Sequence, residues 1–189
     1  MTIRTPALLL FAVSLIGIVL QGTHSLAQHA GTSQGATAPS ALQRYLDMDC
    51  GVRTEEGKSA IKEVLAFQTD LLPEFIRILS QGPDKQTIEN LAQRLEREWA
   101  EREEFIKKNP RNVLTTEDLA ALHALTKKEY FERHRRRLDR KYREKAAFAL
   151  AAFGSAQARQ ALEAARKATE DTELKRIFNA ALELMGQAQ

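Results

Sequence analysis

From Ser40 to the end of the chain, apolar residues recur at spacings of three and four, and no stretch alternates with period two. Ser40 with Gln43 reads as a capping box opening a short helix through Leu46, closed by Gly51. A second helix, Glu55 to Phe67, carries Ile61, Val64 and Leu65 on one face. A third starts near Asp70, with Pro73 in its first turn, and presents Leu72, Phe75, Ile76 and Leu79 until Gln81-Gly82-Pro83 stops it. Asp84 then caps a longer helix whose stripe of Ile88, Leu91, Leu95, Trp99 and Ile106 makes a narrow seam. Asn109-Pro110 ends it, because the residue before proline avoids the α region.

Thr115 or Thr116 caps the next helix, with Glu117 and Asp118 in its first turn. No Gly or Pro follows until after Phe153, which predicts one helix of about 38 residues, roughly 57 Å long. Asp139–Lys141 is the expected place for any break. So long a helix needs a partner, and the preceding helix is the antiparallel candidate. In the last third, Ala146 to Phe153 runs into Gly154, Ser155 opens a helix with Ala158, Ala161, Leu162 and Ala165, and Thr169 or Thr172 opens another. That final helix carries Leu174, Ile177, Phe178, Ala181, Leu182 and Met185 before Gly186. Gly154 and Gly186 are expected to end helices 32 residues apart, with Leu150 in register with Leu182.

The segments Arg143 to Gly154, Ser155 to Ala168 and Glu173 to Gly186 resemble a HEAT-like α-solenoid of the short-repeat kind. A second echo lies in Ile61 to Gly82, where Leu71-Leu72-Pro73-Glu74-Phe75 is similar to the proline-bearing second helix of such a repeat. The expected fold class is therefore all-α, a HEAT-like helical repeat array with a long central helical hairpin. What the resemblance implies is a protein that uses a helical surface to hold another protein.

The chain has 189 residues, long enough to bury a core as one domain. Residues 1–27 read as a signal peptide: Arg4 supplies the positive end, Ala7 to Leu20 the apolar stretch, and Ser25-Leu26-Ala27 the cleavage site. The apolar run of about 14 residues falls short of the roughly 20 that span a bilayer. Residues 28–39 read as a flexible linker and 40–189 as one all-α domain. Cleavage near Ala27 would leave a periplasmic or secreted protein. Without Arg4 the balance is 27 basic against 25 acidic residues, close to neutral, so nucleic acid is not an expected partner.

The single cysteine, Cys50, excludes an internal disulfide framework and a Cys-rich zinc site. Asp47 and Asp49 beside it would raise its pKa, which favours a small packed hydrophobe over a reactive thiolate; a disulfide-linked homodimer is the minor alternative. Of the histidines, His24 and His29 precede the helices, whereas His123 and His134 lie eleven residues apart. On one helix they would share a face but stand roughly 16 Å apart, too far to share a metal. His134 falls between Phe131 and Leu138, as a packed, hydrogen-bonded histidine would. The carboxylates come in helical charge runs, and there is no phosphate loop, Gly-x-Ser-x-Gly, HExxH or calcium-loop spacing. No catalytic, metal or cofactor residue is therefore assigned, and the expected protein is not an enzyme.

Charge supplies the strongest local feature. Lys127 to Lys145 holds ten basic and four acidic residues, whereas Asp84 to Glu104 holds seven acids against four bases. Paired antiparallel, the two helices would set these charges against each other along the seam edges. Arg133, Arg135, Arg136, Arg137 and Arg140 are the candidate partner-binding residues if the excess stays exposed, facing an acidic protein or an anionic envelope surface. The leading expectation is an exported, non-enzymatic helical protein that binds another protein as scaffold or adaptor. The alternative is a periplasmic stress or chaperone-like protein. Exported helical hairpins of that kind are similar in having a basic face and a helix start like Leu114, Thr115 and Glu117.

Overall fold

The computed structural model describes residues 37–48, 54–108 and 115–187, and all the regular structure among them is α-helical. The helices are α1 (Ala38–Asp47), α2 (Glu55–Ala66), α3 (Gln68–Gln81), α4 (Lys85–Lys108), α5 (Thr116–Ala124), α6 (Lys127–Phe153), α7 (Ala156–Ala168) and α8 (Thr172–Gln187). No helix among the described residues is long and apolar enough to cross a membrane. The expected signal peptide, residues 28–36 of the expected linker, and Cys50 lie outside the described residues.

The helix starts follow side-chain chemistry, with several shifts from the expected positions. Thr37, not Ser40, caps α1: Ser40 sits at the third helical position, and its hydroxyl and that of Thr37 serve each other's backbone N–H groups. Helix α1 therefore begins at Ala38, inside the stretch expected as linker. Thr54 caps α2 through the Gly57 N–H at 3.0 Å, and Asp84 caps α4 through the Thr87 N–H at 2.7 Å. Helix α3 starts earlier than Asp70, so Pro73 lies in its second turn. The proline there removes the donor to the carbonyl of Thr69, an exposed residue. Neither Thr169 nor Thr172 opens α8; Asp171 does, its carboxylate accepting from the Glu173 and Leu174 N–H groups at 2.8 and 3.1 Å.

The single helix expected from Thr115 to Phe153 is two, and the break is not at Asp139–Lys141. The chain turns at Leu125-Thr126, where Thr126 and Glu129 form a reciprocal capping box that opens α6. A capping box satisfies the free N–H groups of a new helix, so it can start one without any Gly or Pro. The two glycines expected to end helices behave differently. Gly154 adopts φ 66° and closes α6 in the left-handed region, whereas Gly186 stays helical within α8.

Two cores result. The main one draws on α1, α2, α3, the C-terminal half of α6, α7 and α8, with Phe75, Ile78, Leu79, Leu150, Leu162 and Phe178 all but fully buried. Tyr45, Phe75 and Phe153 form an edge-to-face chain through it, with ring centroids 5.9 and 5.7 Å apart. Helix α6 is its hub, packing against α1, α2, α3, α7 and α8. The smaller core belongs to an arm built from α4, α5 and the first half of α6. Leu91, Leu95 and Trp99 are buried there, and Trp99 packs against Tyr130 at 5.5 Å.

Candidate functional site

The basic stretch of α6 is the region the sequence singles out, and its cations divide into two groups. Most are already used by the fold. Lys127 reaches Glu96 on α4 at 2.5 Å, and Lys128 lies 4.0 Å from Glu132 on its own helix. Arg143 holds Asp139 at 2.9 Å and donates to the Leu79 and Ser80 carbonyls, both at 3.0 Å, at the end of α3. Lys145 donates to the carbonyls of Tyr45 and Leu46 at 2.7 and 3.0 Å, and to that of Met48, at the end of α1. Lys141 adds a longer contact to the Asp47 carbonyl. The last carbonyls of a helix have no partner within it and carry the negative end of its dipole, so cations suit them.

The charges of α4 and α6 therefore do not simply neutralise each other. The polar contacts between the two helices include Lys127–Glu96 and Tyr130, whose hydroxyl donates to Glu98 at 3.0 Å. Many of the acids on α4 turn to its own cations, as in Lys85–Glu89 and Arg94–Glu98. This is what spacing of i to i+4 favours on a solvated helix.

Of the five candidate arginines, Arg140 departs from the expectation of free exposure. Its side chain is 41% exposed and bridges to Asp171 at 3.3 Å and Glu173 at 3.8 Å, tying α6 to the start of α8. Arg133, Arg135, Arg136 and Arg137 are exposed, and none forms an ion pair with a described residue. The helix separates them further. Arg135 and Arg136 line a cleft of about 560 Å³ with Arg140 and Arg143; Arg133 and Arg137 lie outside it. The lining role of Arg143 was not anticipated. Its signal was the i, i+4, i+8 spacing of 135, 139 and 143.

The cleft runs along α6 between the α3–α4 turn and the start of α8, with Pro83, Ile88 and Leu138 supplying apolar wall. Its carboxylates are Glu132, Asp139 and Asp171. The Leu174 backbone N–H, with lesser help from Arg140, holds the Asp171 carboxyl below its usual range. The Thr87 backbone N–H does the same for Asp84 at the nearby start of α4. Gly82 shapes the turn: it has φ 78°, and a Cβ there would stand 2.1 Å from Asp139 Oδ1.

A second depression, about 430 Å³, lies on the arm between α4 and α5, walled by Trp99, Ile106, Leu119, Leu122 and Leu125. Arg102 stacks over the Trp99 ring at 4.3 Å and donates to the Leu122 carbonyl, and Phe105 nearby is 44% exposed. His134 contacts the Tyr130 ring at 4.4 Å and makes no hydrogen bond to a described residue, against expectation. It belongs to α6 and His123 to α5, so the expected shared helix face does not exist. No group of three or more His, Cys, Asp or Glu suited to a metal occurs among the described residues. No family model, curated protein or solved structure matches this chain.

Proposed function

We propose that this chain is an exported, non-enzymatic helical protein that binds an acidic partner protein through α6. One observation carries the reading: Arg133, Arg135, Arg136 and Arg137 stand exposed and form no ion pair with a described residue, on a helix whose other cations are nearly all engaged. Four exposed guanidiniums raise the local potential and speed encounter with an acidic surface. The rest of the helix is anchored to α1, α3 and α8, so the cations sit on a rigid support. In this reading the repeat-like packing is confined to the C-terminal half of α6 with α7 and α8, and the arm is an addition to it. The pattern of residues 1–27 is what supports export.

The chaperone-like alternative is favoured by a different feature, the apolar depression beside Trp99 and the exposed Phe105. One experiment separates the two. The chain, expressed with residues 1–27 in place, is recovered from the envelope or culture fraction after crosslinking, at low and high salt, beside a variant carrying R135E, R136E and R137E. One stoichiometric partner lost in the variant supports the binding reading. Many unrelated clients retained by the variant would replace it with the chaperone reading, and an uncleaved N-terminus in the cell interior would remove export.

A further inference from the structure

The cleft beside α6 is where charge and apolar surface meet. Its three carboxylates are already engaged: Asp139 by Arg143, Asp171 by Arg140 and the α8 N–H groups, and Glu132 by Lys128. Arg135 and Arg136 face the same space, and neither forms an ion pair with a described residue. Behind them Ile88 and Leu138 are half-buried and Pro83 is buried, forming an apolar wall between two helices. The volume, about 560 Å³, suits a few residues of chain rather than a flat surface.

We infer that this cleft takes an acidic segment of a partner protein, with carboxylates on Arg135 and Arg136 and one apolar side chain against Ile88 and Leu138. Guanidinium forks match carboxylates bidentately, which fixes the segment's orientation as well as its charge. A concave site also disfavours a lipid surface, which cannot enter it. The inference rests on the proposed function and narrows it, because it assigns binding to Arg135 and Arg136 and leaves Arg133 and Arg137 as bystanders.

The test uses the full chain and a short fluorescein-labelled polyglutamate peptide with one central leucine, followed by anisotropy. R135E/R136E and R133E/R137E alter net charge equally, so bulk electrostatics cannot distinguish them. Loss of at least about tenfold in affinity is expected for R135E/R136E and less than about threefold for R133E/R137E, given what charged hydrogen bonds contribute. The milder R135Q/R136Q should fall between, and circular dichroism checks that each variant stays helical. Replacing the peptide's leucine by serine should weaken binding to the unmodified chain. Equal losses in both charge-reversed variants would overturn the cleft while leaving a general basic surface. Unchanged binding in both would overturn the cleft and the proposed function together. Preference for phosphatidylglycerol vesicles over the peptide would overturn the inference in favour of a lipid surface.

Discussion

Tyr45 and Lys145 hold each other in both directions across α1 and α6. The Tyr45 hydroxyl donates to the Lys145 carbonyl at 3.1 Å, and the Lys145 ammonium donates to the Tyr45 carbonyl at 2.7 Å. The ammonium also lies 5.6 Å from the Tyr45 ring centroid. Lys145 thus acts as a C-cap for a helix that lies a hundred residues away in sequence.

Lys145→Met keeps most of the apolar stem and removes the donors to three carbonyls. It is expected to cost about 1–3 kcal/mol, seen as a lower melting temperature. Hydrogen exchange should rise first in the last turn of α1. Tyr45→Phe removes one of the bonds and should cost about 1 kcal/mol. Equal protection of α1 in Lys145→Met and the unmodified chain would refute the capping role.

Gly82 and Gly186 should respond to substitution with opposite sign. Gly82→Ala forces a Cβ into Asp139 at a backbone angle that only glycine adopts readily, and should cost about 1–3 kcal/mol or more. The displaced carboxylate would also loosen Arg143 from the end of α3. Gly186→Ala meets nothing within 4 Å in a helical backbone and should stabilise by up to about 1 kcal/mol. Chemical denaturation of both variants checks the pair.

Much of this architecture was legible in the sequence, and what was missed has a common cause. The stripe of Leu91, Leu95 and Trp99 and the set Leu174, Phe178, Ala181 and Met185 are buried as their spacing required. Local cues failed where a side chain did something no period reports. Thr126 with Glu129 starts a helix in the middle of an unbroken helical pattern, and Asp171 outcompetes two neighbouring threonines as a cap. At the candidate surface, composition identified the basic helix but could not separate Arg140, which bridges to α8, from Arg135 and Arg136. That separation depends on partners far away in the chain.

Thr126→Ala removes half of the capping box and should cost about 1 kcal/mol. Because Trp99 is the only tryptophan and lies in the arm, its fluorescence reads that region separately. The fluorescence transition should shift to lower denaturant more than the far-ultraviolet signal does. Equal shifts would mean that the arm and the main core unfold as one unit.

Stability should also fall at both ends of the pH range. Burial raises the pKa of Tyr45, Tyr130 and Tyr142 above the ordinary value, with the Glu98 hydrogen bond adding to the effect at Tyr130. A raised folded-state value means stability fully present below about pH 10 and lost as pH rises through the folded values. Backbone N–H groups lower Asp84 and Asp171, so their contribution is present above about pH 4 and lost as pH falls through the lowered values. Denaturation midpoints across pH should show both limbs. Tyr130→Phe should flatten the alkaline limb of the Trp99 signal while leaving that of the main core.

Helix α6 runs unbroken from Lys127 to Phe153 and belongs to the arm at one end and to the main core at the other. It therefore works as a spoke rather than a hinge: the arm cannot swing without bending a rod whose every turn is hydrogen-bonded. A partner seated in the cleft, as proposed, would pull on the same rod that clamps the ends of α1 and α3, so load applied at Arg135 would be delivered to Lys145 as torque on the body.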